Sequence, residues 1–256
     1  MGPRTHRLNF PLSRNDALGL RAGDQVVMDG EIIVTAGLPT HQRLLRCLDG
    51  EETPPMDLHG ASVFHLGSFS REVAGRLELL YLNPTTSTRF NPYMPRLLQG
   101  FGWHAVGGKG GLDATCAQAL QQVGGVYLSF LGGGCTLLSQ AVTAVLEVGW
   151  SDMLMHYRLV RLRVQGLGPT TVAIDAHGRS LYDEEHAHAQ QQREHILEWL
   201  AQQRQATHPQ TATHPRSSHD DPTRMVCTRH DGAFDGLREP APASYPTHRH
   251  RARDGL

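Results

Sequence analysis

Two short stretches of the sequence combine small or hydroxylated residues with one cation each. Residues 84–89 read Pro-Thr-Thr-Ser-Thr-Arg, and residues 107–111 read Gly-Gly-Lys-Gly-Gly. Threonine hydroxyls and backbone N–H groups hydrogen-bond a carboxylate, while Arg89 neutralises it through a two-pronged fork and Lys109 acts as a point charge. The two stretches therefore predict a binding site for a small anion.

Each of these loops lies between a predicted strand and a predicted helix. Residues 79–82 form a predicted buried strand before the first loop, and residues 92–99 form a predicted short helix after it. Residues 104–106 and 113–122 flank the second loop in the same way, with Asp113 as the expected helix N-cap. Two such loop-to-helix junctions in succession predict that both loops face one pocket.

The remaining pattern indicates a mixed α/β architecture. Residues 25–35 carry alternating apolar residues around Asp29 and Gly30, which predicts a β-hairpin turned at that pair. Pro39 is expected in the first turn of the following helix. Further strands are predicted over 61–66, 126–130, 157–164 and 172–174, and a further helix over 135–144.

Composition and charge limit the class of protein. The chain has 256 residues, of which 39% are hydrophobic, so it can bury at least one core. Its 24 lysine and arginine residues nearly balance 25 aspartate and glutamate residues, so no net field favours nucleic acid. No run approaches the roughly 18 apolar residues of a membrane span, and residues 1–21 lack a signal-peptide core. We expect a cytoplasmic protein that binds neither nucleic acid nor membrane.

The cysteines are scattered without a Cys-x-x-Cys pair. They occur at Cys47, Cys116, Cys135 and Cys227. This spacing argues against a structural zinc site, a disulfide framework or a self-contained iron–sulfur ligand set. If an iron–sulfur cluster takes part in the function, another chain must supply its thiolates.

The last third of the chain changes character. Residues 183–204 begin with acidic residues and carry a short apolar stripe, which predicts an amphipathic helical extension that docks on the domain or on a partner. Residues 205–256 are rich in His, Pro, Ser, Arg and Asp, which predicts disorder and at most adventitious metal binding. The compact domain is therefore expected over residues 8–182.

Several motifs, in order along the chain, resemble one family. They are Ala-Gly-Asp at 22–24, Thr-Ala at 35–36, His41 with Arg43 and Leu44, the two loops at 84–89 and 108–111, and Val-Ala-Ile-Asp-x-His-Gly at 172–178. Together they resemble the β subunit of class I fumarate hydratase and L(+)-tartrate dehydratase, and the C-terminal domain of single-chain iron–sulfur fumarases. The resemblance covers about Leu8 to Tyr182.

The resemblance implies a fold, a partner and a reaction. The fold is a swivelling β/β/α domain of mixed sheets with flanking helices, which closes over a substrate held by a [4Fe-4S] cluster. That cluster is supplied by an α subunit, in an αβ or α2β2 assembly. The reaction is the reversible hydration of a fumarate-, malate- or tartrate-like hydroxy acid, with the iron as Lewis acid.

The resemblance also implies roles for individual residues. Thr85 is placed at the reacting carbons and helps proton transfer, and His41 is a second catalytic candidate. The substrate-binding candidates are Thr86, Arg89, Lys109 and Gly110. A threonine hydroxyl is too weak an acid or base to act alone, so a carboxylate of the α subunit is expected to work with Thr85.

Other interpretations stay open at this point. The family has Arg-Asp where this chain has Gly37 and Leu38, so the same chemistry on a different 2-hydroxy acid is one alternative. A non-catalytic binding or scaffold module of this fold is another. Residues 84–87 taken alone resemble an ordinary turn, and His41 taken alone could cap its helix or bond a backbone carbonyl.

Overall fold

The structure is a computed structural model that describes residues 2–207. The prediction of disorder for residues 205–256 lies outside this range, except that the last helix extends to Thr207. No helix within residues 2–207 combines the length and the apolar character that a membrane span requires.

The described chain contains nine strands and six α-helices. The strands are β1 Thr5–Phe10, β2 Gln25–Val34, β3 Ser62–Phe64, β4 Leu66–Val73, β5 Arg76–Pro84, β6 Ala105–Gly108, β7 Val126–Ser129, β8 Val142–Gly149 and β9 Leu159–Ile174. The α-helices are α1 Arg14–Gly19, α2 Leu38–Leu48, α3 Met94–Phe101, α4 Ala114–Val123, α5 Cys135–Gln140 and α6 Leu181–Thr207. Short 3₁₀ helices span Ser87–Phe90 and Met155–Tyr157.

The strands form one large sheet and one hairpin. The seven-stranded sheet has the order β1-β2-β3-β6-β7-β9-β8, and β2 also pairs with β9, so β2, β3, β6, β7 and β9 form a closed ring. The pairs from β1 to β7 are parallel, whereas β9 is antiparallel to its neighbours. Strands β4 and β5 form a separate antiparallel hairpin. The predicted mixed α/β class is confirmed.

Side-chain alternation divides the apolar residues into two cores. On β7, Val126 and Leu128 belong to one cluster, while Tyr127 between them belongs to the other. This follows from the two-residue period of a strand, which sends neighbouring side chains to opposite faces. The second cluster also contains Leu97 of α3 and Leu120 of α4, so it joins the sheet to these helices.

The predicted hairpin over residues 25–35 is wrong. Strand β2 runs unbroken from Gln25 to Val34, and Gly30 forms an irregularity in its pairing with β9. Gly30 has a φ of 102°, and a Cβ there would lie 2.3 Å from the Phe10 carbonyl oxygen. Because β1 and β9 hold β2 from both sides, the Asp-Gly pair makes a bulge instead of a turn.

Other details also differ from the sequence pattern. The helix predicted over 92–99 is α3, which begins at Met94 and ends at Phe101. The helix predicted over 135–144 ends at Gln140, because Val142 already pairs with Val164 of β9. The strands predicted over 157–164 and 172–174 are parts of the single strand β9. The predicted strand over 79–82 lies in β5, but of its residues only Leu82 is buried.

The ends of the parallel strands position the candidate residues. Strands β2, β3 and β6 run in the same direction, so their carboxyl ends meet at one edge of the sheet. The residues that follow these ends are Thr35 after β2, His65 after β3 and Lys109 after β6. The first loop joins them there, because the Thr85 N–H donates to the His65 carbonyl oxygen at 2.8 Å.

Candidate functional site

Backbone hydrogen bonds hold the two predicted anion loops side by side. The Lys109 N–H donates to the Thr85 carbonyl oxygen at 3.0 Å, and the Ser87 N–H donates to the Lys109 carbonyl oxygen at 2.8 Å. These bonds form a short parallel bridge between Thr86 and Lys109. The first and second loops therefore form one continuous surface.

Thr86 and Gly110 support this surface from its edge. Thr86 accepts a hydrogen bond from Arg89 Nε through its carbonyl oxygen at 3.4 Å. The Thr88 hydroxyl donates to the Gly110 carbonyl oxygen at 3.3 Å. Gly110 has a φ of 81°, a left-handed conformation that favours glycine. Neither Thr86 nor Gly110 lines the cleft that is described below.

The two cations of the loops have no acidic partner within residues 2–207. Arg89 donates through Nη2 to the Thr85 hydroxyl oxygen, and its guanidinium also lies over the Phe90 ring. The Lys109 ammonium group makes no ion pair within the described chain. It is also the only lysine in the sequence, in which arginine is otherwise used throughout. Two unneutralised cations on adjoining loops indicate a site for an anionic ligand.

A cleft of about 280 Å³ opens beside these groups. Its lining residues are Ala36, Gly67, Tyr81, Asn83, Pro84, Thr85, Lys109 and His156. This volume lies at the lower limit of ordinary ligand cavities, which suits a small organic acid better than a nucleotide. The structure thus brings Thr85 and Lys109 to one cavity and connects Arg89 to it through Thr85.

A buried hydrogen-bond network lies beneath the two loops. The Gly111 N–H donates to the Tyr127 hydroxyl oxygen at 3.3 Å, and the Tyr127 hydroxyl donates to Ser87 Oγ at 2.8 Å. Ser87 Oγ in turn lies 2.8 Å from His65 Nδ1. The Ser87 hydroxyl oxygen is thus the common partner of the Tyr127 hydroxyl and the His65 ring. The network connects the second loop, through β7, to the first loop and β3.

His41 is placed below the loops and is not part of the cleft lining. It is fully buried, stacks on Phe90 with ring centroids 3.9 Å apart, and its Nδ1 lies 2.6 Å from the Gly37 carbonyl oxygen. The pKa of His41 is lowered to about 4, mainly by burial, which outweighs the opposing Gly37 hydrogen bond, and with a smaller contribution from charge repulsion by Arg89. His41 is therefore neutral near pH 7, and its catalytic role stays a prediction.

His65 has a similar environment. It is fully buried 5.2 Å from the His41 ring, and its pKa lies well below the usual value because of burial, then His41 and Arg89. The Nε2 atoms of both histidines are buried without a hydrogen-bond partner in the described chain. Two neutral imidazoles beneath Arg89 leave that cation as the dominant local charge.

Sequence reasoning did not identify four residues of this site, namely His65, Ser87, Tyr127 and His156. Ser87 lies inside the first motif, but its side chain points into the network and not toward the cleft. The other three belong to distant segments, and no spacing in the sequence relates them to the loops. The sequence did contain one further signal, for a residue that was identified: Lys109 is the only lysine of the chain, which distinguishes it from the other cations.

Comparison with known proteins identifies the family. The family model described as "Fumarase C-terminus" matches residues 4–185. The chain is 32% identical over 174 residues to the "Putative L(+)-tartrate dehydratase subunit beta" of Methanocaldococcus jannaschii, covering 68% of this chain and 89% of that protein. It is 28% identical over 195 residues to the L(+)-tartrate dehydratase subunit beta of Escherichia coli, covering 76% and 95%.

A single-chain relative matches only in part. The "Putative fumarate hydratase class I" of Geobacillus stearothermophilus is 33% identical over 187 residues, which are 71% of this chain but 34% of that protein. This chain therefore corresponds to about a third of that relative and to nearly the whole of the β subunits. Together with the anion loops at the sheet edge, these matches show that the chain belongs to the fumarase C-terminal family, which includes the L(+)-tartrate dehydratase β subunits.

Proposed function

We propose that this chain is the β subunit of a two-subunit iron–sulfur hydro-lyase that hydrates or dehydrates a fumarate-, malate- or tartrate-like hydroxy acid. The observation that carries the proposal is that Arg89 and Lys109, both without an acidic partner in residues 2–207, are joined to Thr85 beside a small cleft. Arg89 bonds the Thr85 hydroxyl, and Lys109 bonds the Thr85 carbonyl oxygen through its backbone N–H and lines the same cleft. The names of the matched relatives support this class of reaction.

The side chains of the cleft have distinct proposed roles. Lys109 neutralises a substrate carboxylate as a point charge. Arg89 donates to Thr85 Oγ1, which stabilises negative charge on that oxygen and leaves the hydroxyl proton free to be directed into the cleft. Thr85 then assists the movement of a proton at the reacting carbon, together with a carboxylate of the α subunit.

The cluster itself belongs to the proposed partner. Within residues 2–207 no group of three or more His, Cys, Asp or Glu side chains is placed to hold a metal ion, so the described residues do not fit a [4Fe-4S] cluster. Burial raises the pKa of both the Cys47 and the Cys116 thiols, which disfavours the thiolate that a metal requires. This chain contributes the lid of anion-binding groups.

An apolar surface next to the cleft supports docking of a partner. On the β4–β5 hairpin, Phe69 and Tyr81 stack with centroids 5.6 Å apart while 37% and 41% exposed. Leu77 and Leu80 of the same hairpin are exposed as well. Exposed aromatic and aliphatic side chains of this kind are typical of the centre of a protein interface. A partner seated here would close the cleft, as the proposed swivelling domain requires.

Activity of the assembled complex tests the proposal. Anaerobic co-expression with the α subunit is expected to give hydro-lyase activity, which the isolated β chain lacks. Lys109→Ala removes a charge-assisted contact and should lower kcat/KM by roughly 10- to 150-fold, from about 1.5–3 kcal/mol. Thr85→Ala should lower kcat with little change in KM, since its hydroxyl acts on the proton.

A surface arginine provides the matched control. Arg96 lies on α3 and pairs with Asp49, away from both the cleft lining and the β4–β5 hairpin, so Arg96→Ala should leave the kinetics unchanged. Full activity of both Lys109→Ala and Thr85→Ala would contradict the site. Absence of activity from a complex with its cluster intact would favour the scaffold alternative, against which the retained cations now argue.

A further inference from the structure

We propose that His156 determines the specificity of this cleft, and that it binds the second polar end of a short 2-hydroxy acid whose carboxylate lies at Lys109. The inference rests on the proposed function and deepens it, since it concerns the substrate class of the same site. It starts from position 37, where the resemblance leads one to expect an arginine and this chain has glycine.

A side chain at position 37 would overlap its neighbours in this structure. A Cβ on Gly37 would lie 2.1 Å from Thr40 Oγ1, 2.9 Å from Tyr157 Cβ and 3.0 Å from Tyr157 Cα. The backbone of Gly37 is ordinary, with a φ of −91°, so the restriction comes from space alone. The Met155–Tyr157 helix therefore lies against the backbone from which an arginine would have to extend.

The same helix places a different polar side chain at the cleft. His156 is a lining residue, and its carbonyl oxygen accepts from the Ala36 N–H at 2.9 Å. The Tyr157 carbonyl oxygen accepts from the Thr35 hydroxyl at 3.1 Å, and the Tyr157 ring meets the His156 ring at 4.4 Å in an edge-on contact. These contacts fix the backbone and orient the imidazole.

The imidazole of His156 is free to bind a ligand. Neither ring nitrogen has a hydrogen-bond or ion-pair partner within the part of the chain that the structure describes. The His156 Cβ lies 3.6 Å from a Cβ built on Gly67, so the absence of a side chain on Gly67 keeps the space beside it open. A half-buried imidazole that lines a cleft and has no hydrogen-bond partner for its ring nitrogens is available to bind a polar ligand group.

The register of the β4–β5 hairpin indicates how far His156 lies from Lys109. Gly67, which His156 approaches, is paired with Asn83, and Thr85, whose carbonyl oxygen accepts from the Lys109 N–H, follows two residues later. Two residues of extended chain span about 7 Å, so the backbone positions next to His156 and Lys109 are separated by about the length of a four-carbon acid. This spacing of the two attachment points is compatible with a short ligand that has a polar group at each end.

The replacement changes what the site can distinguish. A guanidinium takes a carboxylate through two parallel hydrogen bonds, whereas an imidazole nitrogen offers one. The cleft is therefore expected to accept a hydroxyl or a carboxylate at the second end and to reject an apolar group. Its substrates are 2-hydroxy acids with a second hydrogen-bonding end.

Binding is tested by protection of Lys109, the only side-chain amine of this chain. In the assembled complex, Lys109 is acylated with an amine-reactive reagent in the presence of malate, 2,4-dihydroxybutyrate or 2-hydroxybutyrate. These acids share a chain length and end in a carboxylate, a hydroxymethyl or a methyl group. We expect the first two to protect at roughly tenfold lower concentration than the third, and His156→Ala to abolish that ratio.

A second histidine serves as control. His59 is exposed and outside the cleft lining, so His59→Ala should keep the wild-type ratio. If His156→Ala also keeps it, or if no acid protects Lys109, the inference is overturned. Protection does not require turnover, so an inactive complex that still shows the His156-dependent ratio would refute the proposed hydro-lyase function and leave the inference standing.

Discussion

At the scale of single residues, the site depends on where a side chain is absent as much as on where one is present. Gly37 leaves room for the Tyr157 backbone, and Gly108 lets Ser87 approach, since a Cβ there would lie 2.3 Å from Ser87 Oγ. Both positions are ordinary in backbone conformation, so their glycines are required by close packing. Neither requirement is visible in the sequence.

Gly37→Ala is expected to destabilise the protein. Its methyl group would overlap Thr40 and Tyr157, and overpacking of this kind costs about 1–3 kcal/mol. Gly37→Arg should lose stability too and gain no affinity for a diacid. The matched control is Gly19→Ala, where nothing lies within 4 Å, so no loss is expected. Urea unfolding of the three variants measures the difference, and an unchanged Gly37→Ala would refute the proposed occlusion.

The pH dependence of stability follows from His41. Its pKa is about 4 in the folded protein and near 6.5 in the unfolded chain, so the unfolded chain binds the extra proton between these values. The stabilisation is present above pH 6.5 and is lost as the pH falls toward 4, by roughly 3 kcal/mol.

His65 adds to this loss, because its pKa is lowered in the same direction. Free energies of unfolding measured at pH 7, 6 and 5 should therefore decline before the acidic residues titrate. His41→Gln should give a shallower decline than the wild type. An identical slope in both proteins would show that His41 does not account for the acid sensitivity.

At the scale of elements, the loops are positioned by strands that are distant in sequence. Tyr127 on β7 receives a hydrogen bond from Gly111 and donates one to Ser87, so a single hydroxyl connects the two anion loops. Burial raises the pKa of Tyr127, which keeps this hydroxyl neutral and able to donate. The arrangement of the two cations therefore depends on a residue that never reaches the cleft.

Tyr127→Phe should loosen the connection between the loops. It leaves the Ser87 hydroxyl and the Gly111 N–H without this partner, which costs about 1–3 kcal/mol of stability. In the assembled complex KM should rise, because Lys109 is less well positioned. Tyr93→Phe is the control, since the Tyr93 hydroxyl accepts from the Gln42 side chain outside both loops. Equal KM values for the two variants would argue against a positioning role for Tyr127.

The local elements were predictable where the determining interaction is itself local. Asp113 caps α4 by accepting from the Cys116 N–H at 2.9 Å, as its position before the helix indicates, and Pro39 lies in the first turn of α2. The hairpin at Asp29 and Gly30 was not predictable, because the same dipeptide makes a turn or a bulge according to which strands flank it.

At the scale of the whole molecule, two exposed apolar surfaces within residues 2–207 are candidate docking sites for a partner. The first is the β4–β5 hairpin beside the cleft, and the second is the stripe of Ile196, Leu197 and Trp199 on α6, each about half exposed. Helix α6 extends past residue 185, where the family match ends. The hairpin is the surface that adjoins the proposed shared site.

Substitutions on the two surfaces should therefore differ in effect. Phe69→Ser combined with Leu80→Ser is expected to weaken co-purification of the α subunit, whereas glutamine at all three α6 positions should not. Both variants should unfold within about 0.5 kcal/mol of the wild type, because exposed side chains contribute little to stability. Loss of the partner only with the α6 variant would assign docking to the helix and favour the scaffold alternative.

Sequence alone determined which chemistry is available: two loops that combine cations with hydroxyl and backbone donors, the mixed α/β class and the boundaries set by caps and prolines. These are local properties, carried by neighbouring residues. Only the tertiary structure decided that β2 is continuous, that Tyr127 and His65 support the loops, and that Tyr157 excludes a side chain at Gly37 while His156 lines the cleft. Those outcomes depend on contacts between residues 20 to more than 100 positions apart, for which the spacing along the chain contains no signal.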